Sequence, residues 1–260
     1  VLHKLRYSLA ALRFEDWWKR QRRTRHARRQ TDSQSGHCPI CATSVIFTAI
    51  SKSPREQLQC CNCGSVPRQR ALIQVLKEMQ IADTMVHECS PSLCTFWFLQ
   101  KHCAKFDASY FWPDRAGGAK VGAVRNVDLG KQPYANAAFD FVVTQDVLEH
   151  VPEPIAAIHE IHRTLRPSGA HVFTVPRNDW HATEARAELH AGELRHLKPP
   201  EYHRDPIRKS GSLVITDWGM DLEQRMTEAV SGVTCEARVI HNPAQGIPHP
   251  VEVFVARNPS

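Results

Sequence analysis

The chain has 260 residues, 42% of them apolar, enough to bury the core of one α/β domain with a small appendage and too apolar for global disorder. The longest apolar runs fall short of the roughly 18 residues a membrane-spanning helix needs. No apolar stretch with a small-residue cleavage site follows Val1, so no secretory signal is expected. The net charge of +6 is unevenly spread. Residues 1–30 hold ten Lys and Arg against Glu15 and Asp16, a balance of +8, and the remaining 23 cations and 25 acids balance to −2. The basic character therefore belongs to an N-terminal arm and says little about the body. Nine cysteines without a secretion signal suggest a reducing, cytoplasmic setting.

The arm, with its linker, occupies residues 1–35. Leu2, Leu5, Leu9 and Leu12 recur at helical spacing, and the segment turns strongly basic between Lys19 and Arg29. Such a helix either packs its apolar side on its own protein or a partner, or makes peripheral contact with anionic lipid or nucleic acid.

A cysteine module spans residues 36–66. CPIC supplies Cys38 and Cys41, and CCNCGS supplies Cys60 and Cys63, a spacing of C-x2-C-x18-C-x2-C that suits a structural zinc ribbon. Two knuckles of two thiolates can complete a closed tetrahedral shell, and Gly64 eases the turn beside the metal. The alternative is a set of free buried thiols. A module this short gains folding energy from its metal. Cys89, Cys94, Cys103 and Cys235 read as core residues.

The remaining chain, residues 67–260, reads as one α/β domain. A helix starts after Pro67, with Leu72, Val75, Leu76 and Met79 at helical spacing. From residue 84, strand and helix patterns alternate: TMVHEC, LCTFWFLQKHC, AKFDASYF, then FDFVVTQ. PIAAIHEIHRTL follows as a helix with Ile155, Ile158, Ile161 and Leu165 on one face, RPSG stops it, and AHVFTVP is the next strand. CEARVIH and VEVFVARN form a closing antiparallel pair. The pattern implies a mostly parallel sheet covered on both faces.

In such sheets, ligands bind beyond the carboxyl ends of the strands. Three ends carry polar groups here: Glu88 before Ser90 and Pro91, Asp128 before Leu129, and Gln145 with Asp146 before His150. An acid at a strand end also serves as a helix cap or a solvated loop group.

The run RNVDLGKQPYANAAFDFVVTQDVLEHVPEPIAAIHEIHRTLRPSGAHVFTVP resembles the core of a class I S-adenosylmethionine-dependent methyltransferase, and CGSVPRQRAL after a cysteine module resembles relatives with an N-terminal zinc ribbon. The resemblance covers residues 84–258 and is dense over 124–176. It implies a Rossmann-like fold, a mostly parallel seven-stranded sheet with an antiparallel last strand, and S-adenosylmethionine as cofactor. Glu88 matches the family's first acidic position, near the amino-acid end of the cofactor. Asp128, with Leu129, matches the position that holds the adenine. Gln145 and Asp146 match the motif beneath the transferable methyl, and His150 follows in a Leu-Glu-His-Val segment common in the family. Two positions depart from the pattern. Ser90 and Pro91 stand where the first motif has glycines, and the ribose-binding acid at the end of the second strand is replaced near Ser109 and Tyr110, with Asp114 a substitute from the loop.

Methyl transfer to a hydroxyl needs alignment and removal of a proton. His150 is the candidate base or substrate contact, the alternative being a locally bonded helix-start histidine. Asp146 is the second catalytic candidate, better suited to shaping the cofactor pocket. Residues 180–206, rich in histidine, interrupt the alternation where the family forms a substrate cover, which makes His181, His196 and His203 candidate substrate contacts. His196 and His203 also offer a second metal site. The leading expectation is transfer to a small-molecule or glycan-type acceptor. The alternative is a zinc-ribbon nucleic-acid-binding protein with a nucleic-acid-methylating or silent methyltransferase-fold domain. It is disfavoured because residues 38–63 carry only Lys52 and Arg55 as cations and Phe47 as aromatic. Nothing in the sequence sets an oligomeric state.

Overall fold

The fold is taken from a computed structural model that describes residues 19–20, 22–23, 32–179, 182–205 and 210–260. The expected apolar stripe of the basic arm lies outside the described residues, as does His181.

The cysteine module forms an antiparallel sheet in the order β1 (Ser33–Cys38), β2 (Thr43–Ala49), β3 (Leu58–Cys60). Each knuckle closes with the same turn: the Ala42 N–H donates to the Cys38 carbonyl and the Gly64 N–H to the Cys60 carbonyl. Both fourth residues take positive φ, 50° at Ala42 and 80° at Gly64. Glycine adopts this without a Cβ penalty. The module does not stand apart. Phe47 is fully buried in a core that also holds Leu72, Leu76 and Val251. Its ring lies against Gly246, whose φ of 70° and lack of a side chain both matter, since a Cβ there would stand 2.9 Å from ring carbons. Arg70, also fully buried, donates to the carbonyls of Ser65, Leu58 and Gly246 and covers the Phe47 ring. It thereby ties the module to the C-terminal hairpin.

Helix α1 (Pro67–Glu78) starts where expected, with Pro67 in its first turn and Gln69 Oε1 accepting from the Val66 N–H. It leads into an eight-stranded sheet. In chain order the strands are β4 (Met85–Cys89), β5 (Lys105–Tyr110), β6 (Lys120–Val121), β7 (Val124–Asn126), β8 (Phe139–Gln145) and β9 (Leu165–Thr174). After a cover segment the sheet is completed by β16 (Thr234–Asn242) and β17 (Ile247–Arg257). The spatial order is β16-β17-β9-β8-β4-β5-β7-β6. β7, β5, β4, β8 and β9 run parallel, and β17 is antiparallel to both β9 and β16. This is the expected sheet with its antiparallel last strand, extended by the short antiparallel edge strand β6.

β8 is apolar on both faces, as a central parallel strand must be. Phe141 and Val143 join the α1 side, with helix α2 (Leu93–His102), and Phe139 and Val142 join the opposite side, with α3 (Pro154–Thr164) and α4 (Leu222–Ala229). Among the described residues no helix connects β5 to β7 or β7 to β8; these stretches are rich in Pro and Gly, and Tyr134 covers the sheet there, its ring 4.9 Å from His87 and 4.8 Å from Phe139. Two details differ from expectation. On α3, Ile155 is 41% exposed, while Ala157 joins Ile158, Ile161 and Leu165 in the buried stripe. Helical spacing back from Ile161 reaches 157 and 158, and the small Ala157 allows close approach to the sheet. β9 begins at Leu165 rather than after Gly169, because the segment through Arg166–Gly169 bulges within the strand, its register shifting against Phe139 and Phe141.

The cover segment is also more ordered than a loop. β10 (Glu184–Ala185) pairs with β15 (Thr216–Asp217), β11 (Ala187–His190) with β12 (Glu193–His196), and β13 (Tyr202–His203) with β14 (Ser212–Leu213). It runs past residue 206 to Asp217.

Candidate functional site

At the cysteine module, Cys38 Sγ lies 3.7 Å from Cys63 Sγ, and Cys41 Sγ lies 3.9 Å from Cys60 Sγ. All four sulfurs fall within 4.8 Å of one another. A tetrahedral shell with Zn–S bonds of about 2.3 Å sets its sulfurs about 3.8 Å apart, so the thiol quartet has the dimensions of a closed metal shell.

The second site is built where β4 and β8 end side by side. Glu88 is fully buried; its Oε1 accepts from Gln145 Nε2 at 2.7 Å and from the Thr95 hydroxyl of α2. Burial pushes its carboxyl up to about 8, only partly offset by these two donors. Glu88 Oε2, Gln145 Oε1 and Ser90 Oγ are buried with no partner. Three buried polar oxygens without partners are costly to leave dry, and a polar ligand would satisfy them. Pro91 follows Ser90, half-buried, before Ser92 caps α2.

Asp146 takes φ of 51°, and its carboxylate meets two cations from the N-terminal side. Arg55 Nη2 lies 2.6 Å from Oδ1, Arg68 Nε 3.1 Å from Oδ2, and Thr174 Oγ1 donates to Oδ1 at 2.9 Å. Burial opposes its charge, but the Arg68 and Arg55 guanidiniums outweigh it and hold the carboxyl well below the usual range. A group so firmly ionised and so fully bonded is a poor proton acceptor. Asp146 is therefore an anchor between β8, β9 and the cysteine module, and the catalytic role expected for it does not fit this geometry.

One turn later, Glu149 is fully buried and neither carboxylate oxygen has a hydrogen-bond partner. Burial, and then the nearby Asp146 charge, push its carboxyl well above the ordinary value. Its Oε1 lies 3.7 Å from His150 Nε2 and 3.9 Å from His203 Nδ1. His150 Nδ1 bonds the Leu213 carbonyl at 2.7 Å, and a carbonyl only accepts, so the proton sits on Nδ1 and the Nε2 lone pair is free. Burial lowers the His150 pKa, which keeps the ring neutral. The cover is bound here twice more: the Ile215 N–H donates to the Glu149 carbonyl at 2.7 Å, and Tyr110 Oη donates to Asp205 at 2.8 Å.

At the expected adenine end, Leu129 is buried beside exposed Asp128, whose Oδ1 accepts from the Gly130 N–H at 2.9 Å. Tyr110 is buried at the end of β5 with its hydroxyl turned to the cover, and Asp114 is exposed on the following loop. The structure thus groups Glu88, Ser90 and Gln145, and separately His150 and His203. His196 lies exposed on β12, paired with Ala187, so the pairing of His196 with His203 as metal ligands is replaced by His203 with Glu149 and His150. Arg55, Arg68, Thr95 and Glu149 were not singled out in the sequence. Glu149 had a signal, an acid beside His150 at a strand end. Arg55, 91 residues from Asp146, had none.

A family described as a methyltransferase domain matches residues 55–213, more than half of the chain and the stretch that runs from Arg55 to Leu213. No curated protein matches the sequence. Solved structures with a similar fold include an S-adenosylmethionine-dependent methyltransferase from Mesorhizobium loti, 16% identical, with 71% of this chain and 96% of that one covered at a TM-score of 0.47. They also include the YcgJ protein of Bacillus subtilis, 9% identical, covering 74% and 99% at 0.47. A third is the 1,6-didemethyltoxoflavin-N1-methyltransferase of Burkholderia thailandensis, 12% identical, covering 83% and 96% at 0.39. By its family match, the chain belongs to the methyltransferase-domain family and is a methyltransferase.

Proposed function

We propose that the protein transfers the sulfonium methyl of S-adenosylmethionine to the hydroxyl of a small-molecule or glycan-type acceptor, and that Cys38, Cys41, Cys60 and Cys63 hold a structural zinc ion. The observation that carries the cofactor placement is the set of unpartnered acceptors Glu88 Oε2, Ser90 Oγ and Gln145 Oε1 at adjoining strand ends. They suit the ammonium and hydroxyl donors of the cofactor. Asp128 and Leu129, beyond β7, are the partners for the adenine, and buried Tyr110 lines the ribose side. When bound, the cofactor supplies a methyl carbon activated by positive sulfur. The protein's part is to hold an oxygen nucleophile in line with it, and His150 Nε2, with its free lone pair, is the group that engages the acceptor hydroxyl. Asp146, tied to Arg55 and Arg68, fixes the end of β8 beneath the methyl. The zinc ion, with four thiolates and no open position, contributes folding energy rather than chemistry.

The use of the cations supports a small acceptor over nucleic acid. Arg55, one of the two cations within residues 38–63, is committed to Asp146, which leaves the module without the basic stripe that nucleic acid requires. Calorimetric titration with S-adenosylmethionine and S-adenosylhomocysteine tests the reading. Micromolar binding of both is expected, with His150→Ala lowering turnover far more than cofactor affinity. Absence of binding in a folded, zinc-loaded sample overturns it.

A further inference from the structure

We propose that Glu149, His150 and His203 form a second, open metal site, which takes a late first-row divalent cation such as Zn2+ or Co2+ and presents it to the acceptor hydroxyl. The three residues place donor atoms within 4.8 Å of one another, from a turn after β8 and from β13 of the cover. Glu149 is the decisive group. It is fully buried, both of its oxygens lack a hydrogen-bond partner, and the guanidiniums of Arg55 and Arg68 bond Asp146 instead. A buried carboxyl with no donors is costly unless a ligand satisfies it. The imidazoles face it, at 3.7 Å and 3.9 Å from the same oxygen.

His150 is also oriented as a ligand is. Its second nitrogen donates to the Leu213 carbonyl at 2.7 Å, and such an outer partner fixes the tautomer and aims the free lone pair at the metal. The second nitrogen of His203 faces Glu201, 3.6 Å from a carboxylate oxygen. Two imidazoles and one carboxylate select a late first-row ion over Mg2+ or Ca2+ and leave coordination positions vacant. A closed four-thiolate shell cannot do this, so the two metal sites divide structure from chemistry.

The site deepens the reading of methyl transfer to oxygen and rests on it for its substrate, though not for its metal. A coordinated hydroxyl is acidified, as zinc-bound water is, from a pKa of about 15.7 to about 7. Its proton leaves to water. An oxygen lone pair then forms the O–CH3 bond while the S–CH3 bond breaks, its electron pair staying on sulfur as a neutral thioether. His150 acts here as a ligand, through the same Nε2. Because His203 belongs to the cover, the cation also fastens the cover to the strand end.

The test uses Co2+, titrated into the full chain already loaded with one equivalent of zinc and followed by calorimetry and visible absorption. Thiolate-to-cobalt charge transfer reveals any exchange at the cysteines, so the new site is read separately. We expect one Co2+ per chain with a d–d spectrum free of sulfur bands, and an affinity at least about tenfold weaker in the isosteric Glu149→Gln and in the cover variant His203→Ala. Failure to take up Co2+, or equal uptake by both variants, overturns the site. S-adenosylhomocysteine titrated into the same samples separates the two readings. Thioether bound without Co2+ removes the cation alone, and Co2+ bound without thioether removes methyl transfer alone.

Discussion

Glu88 offers a measurement of how a carboxyl buried at a strand end bears on stability. Its carboxyl is fully buried and its pKa is pushed from an ordinary 4.5 up to about 8 by desolvation. In the unfolded chain it ionises near 4.5. Between these values the unfolded state has lost the proton that the folded state keeps, so Glu88's contribution to stability falls as pH rises from about 4.5 to about 8 and is constant above. The displacement from 4.5 to about 8, at about 1.4 kcal/mol per pH unit, amounts to roughly 5 kcal/mol at the plateau. Glu88→Gln keeps the acceptor that Thr95 and Gln145 use and cannot ionise. Guanidinium denaturation of both proteins at pH 5, 7 and 8.5 isolates the effect, because buried His87, whose pKa is depressed to about 4, adds an opposite slope below its unfolded value in both. The variant should be little changed at pH 5 and several kcal/mol more stable than the parent at pH 8.5. The cofactor's ammonium should restore the charge on Glu88, so binding near neutral pH should release a proton, seen as buffer-dependent heats. Parallel pH profiles for parent and variant would refute the account.

Phe47→Ala should cost about 3–5 kcal/mol and lower the whole denaturation transition, because the ring belongs to the core shared with α1 and β17; separate melting of the cysteine module alone would contradict that shared core. Tyr110→Phe removes the hydroxyl bonded to Asp205 and should cost about 1 kcal/mol, with faster amide exchange confined to residues 184–217. Uniform exchange throughout the chain would show that the bond does not hold the cover. Asp128→Ala should weaken S-adenosylhomocysteine binding about tenfold, some 1.4 kcal/mol, at an unchanged melting temperature, since the side chain is exposed and bonds only its own turn; unchanged affinity moves the adenine elsewhere.

Features with a local physical cause were legible in the sequence. Apolar runs of strand length separated by helical periodicity determined the order of β4, α2, β5, β8, α3 and β9, because burial on both faces leaves a continuous mark. Cysteine spacing determined the thiol quartet, since two knuckles need only two local turns. The strand-end acids Glu88 and Asp128 stood out because carboxylates are out of place against apolar strands. Even so, local pattern misplaced the α3 stripe at Ile155, where solvent was available to a first-turn residue.

The tertiary structure alone decided which polar groups share charge and which are left without partners. Asp146 reads in sequence as a site acid, and only the docking of Arg55 from the cysteine module and Arg68 from α1 makes it a charge-paired anchor. Glu149 is in sequence only an acid beside His150, and only the folding of the cover across it, with Leu213 fixing His150 and β13 bringing His203, makes it a buried carboxyl without a hydrogen-bond partner. Desolvation and Coulomb interaction depend on distance in space, and the sequence fixes only distance along the chain.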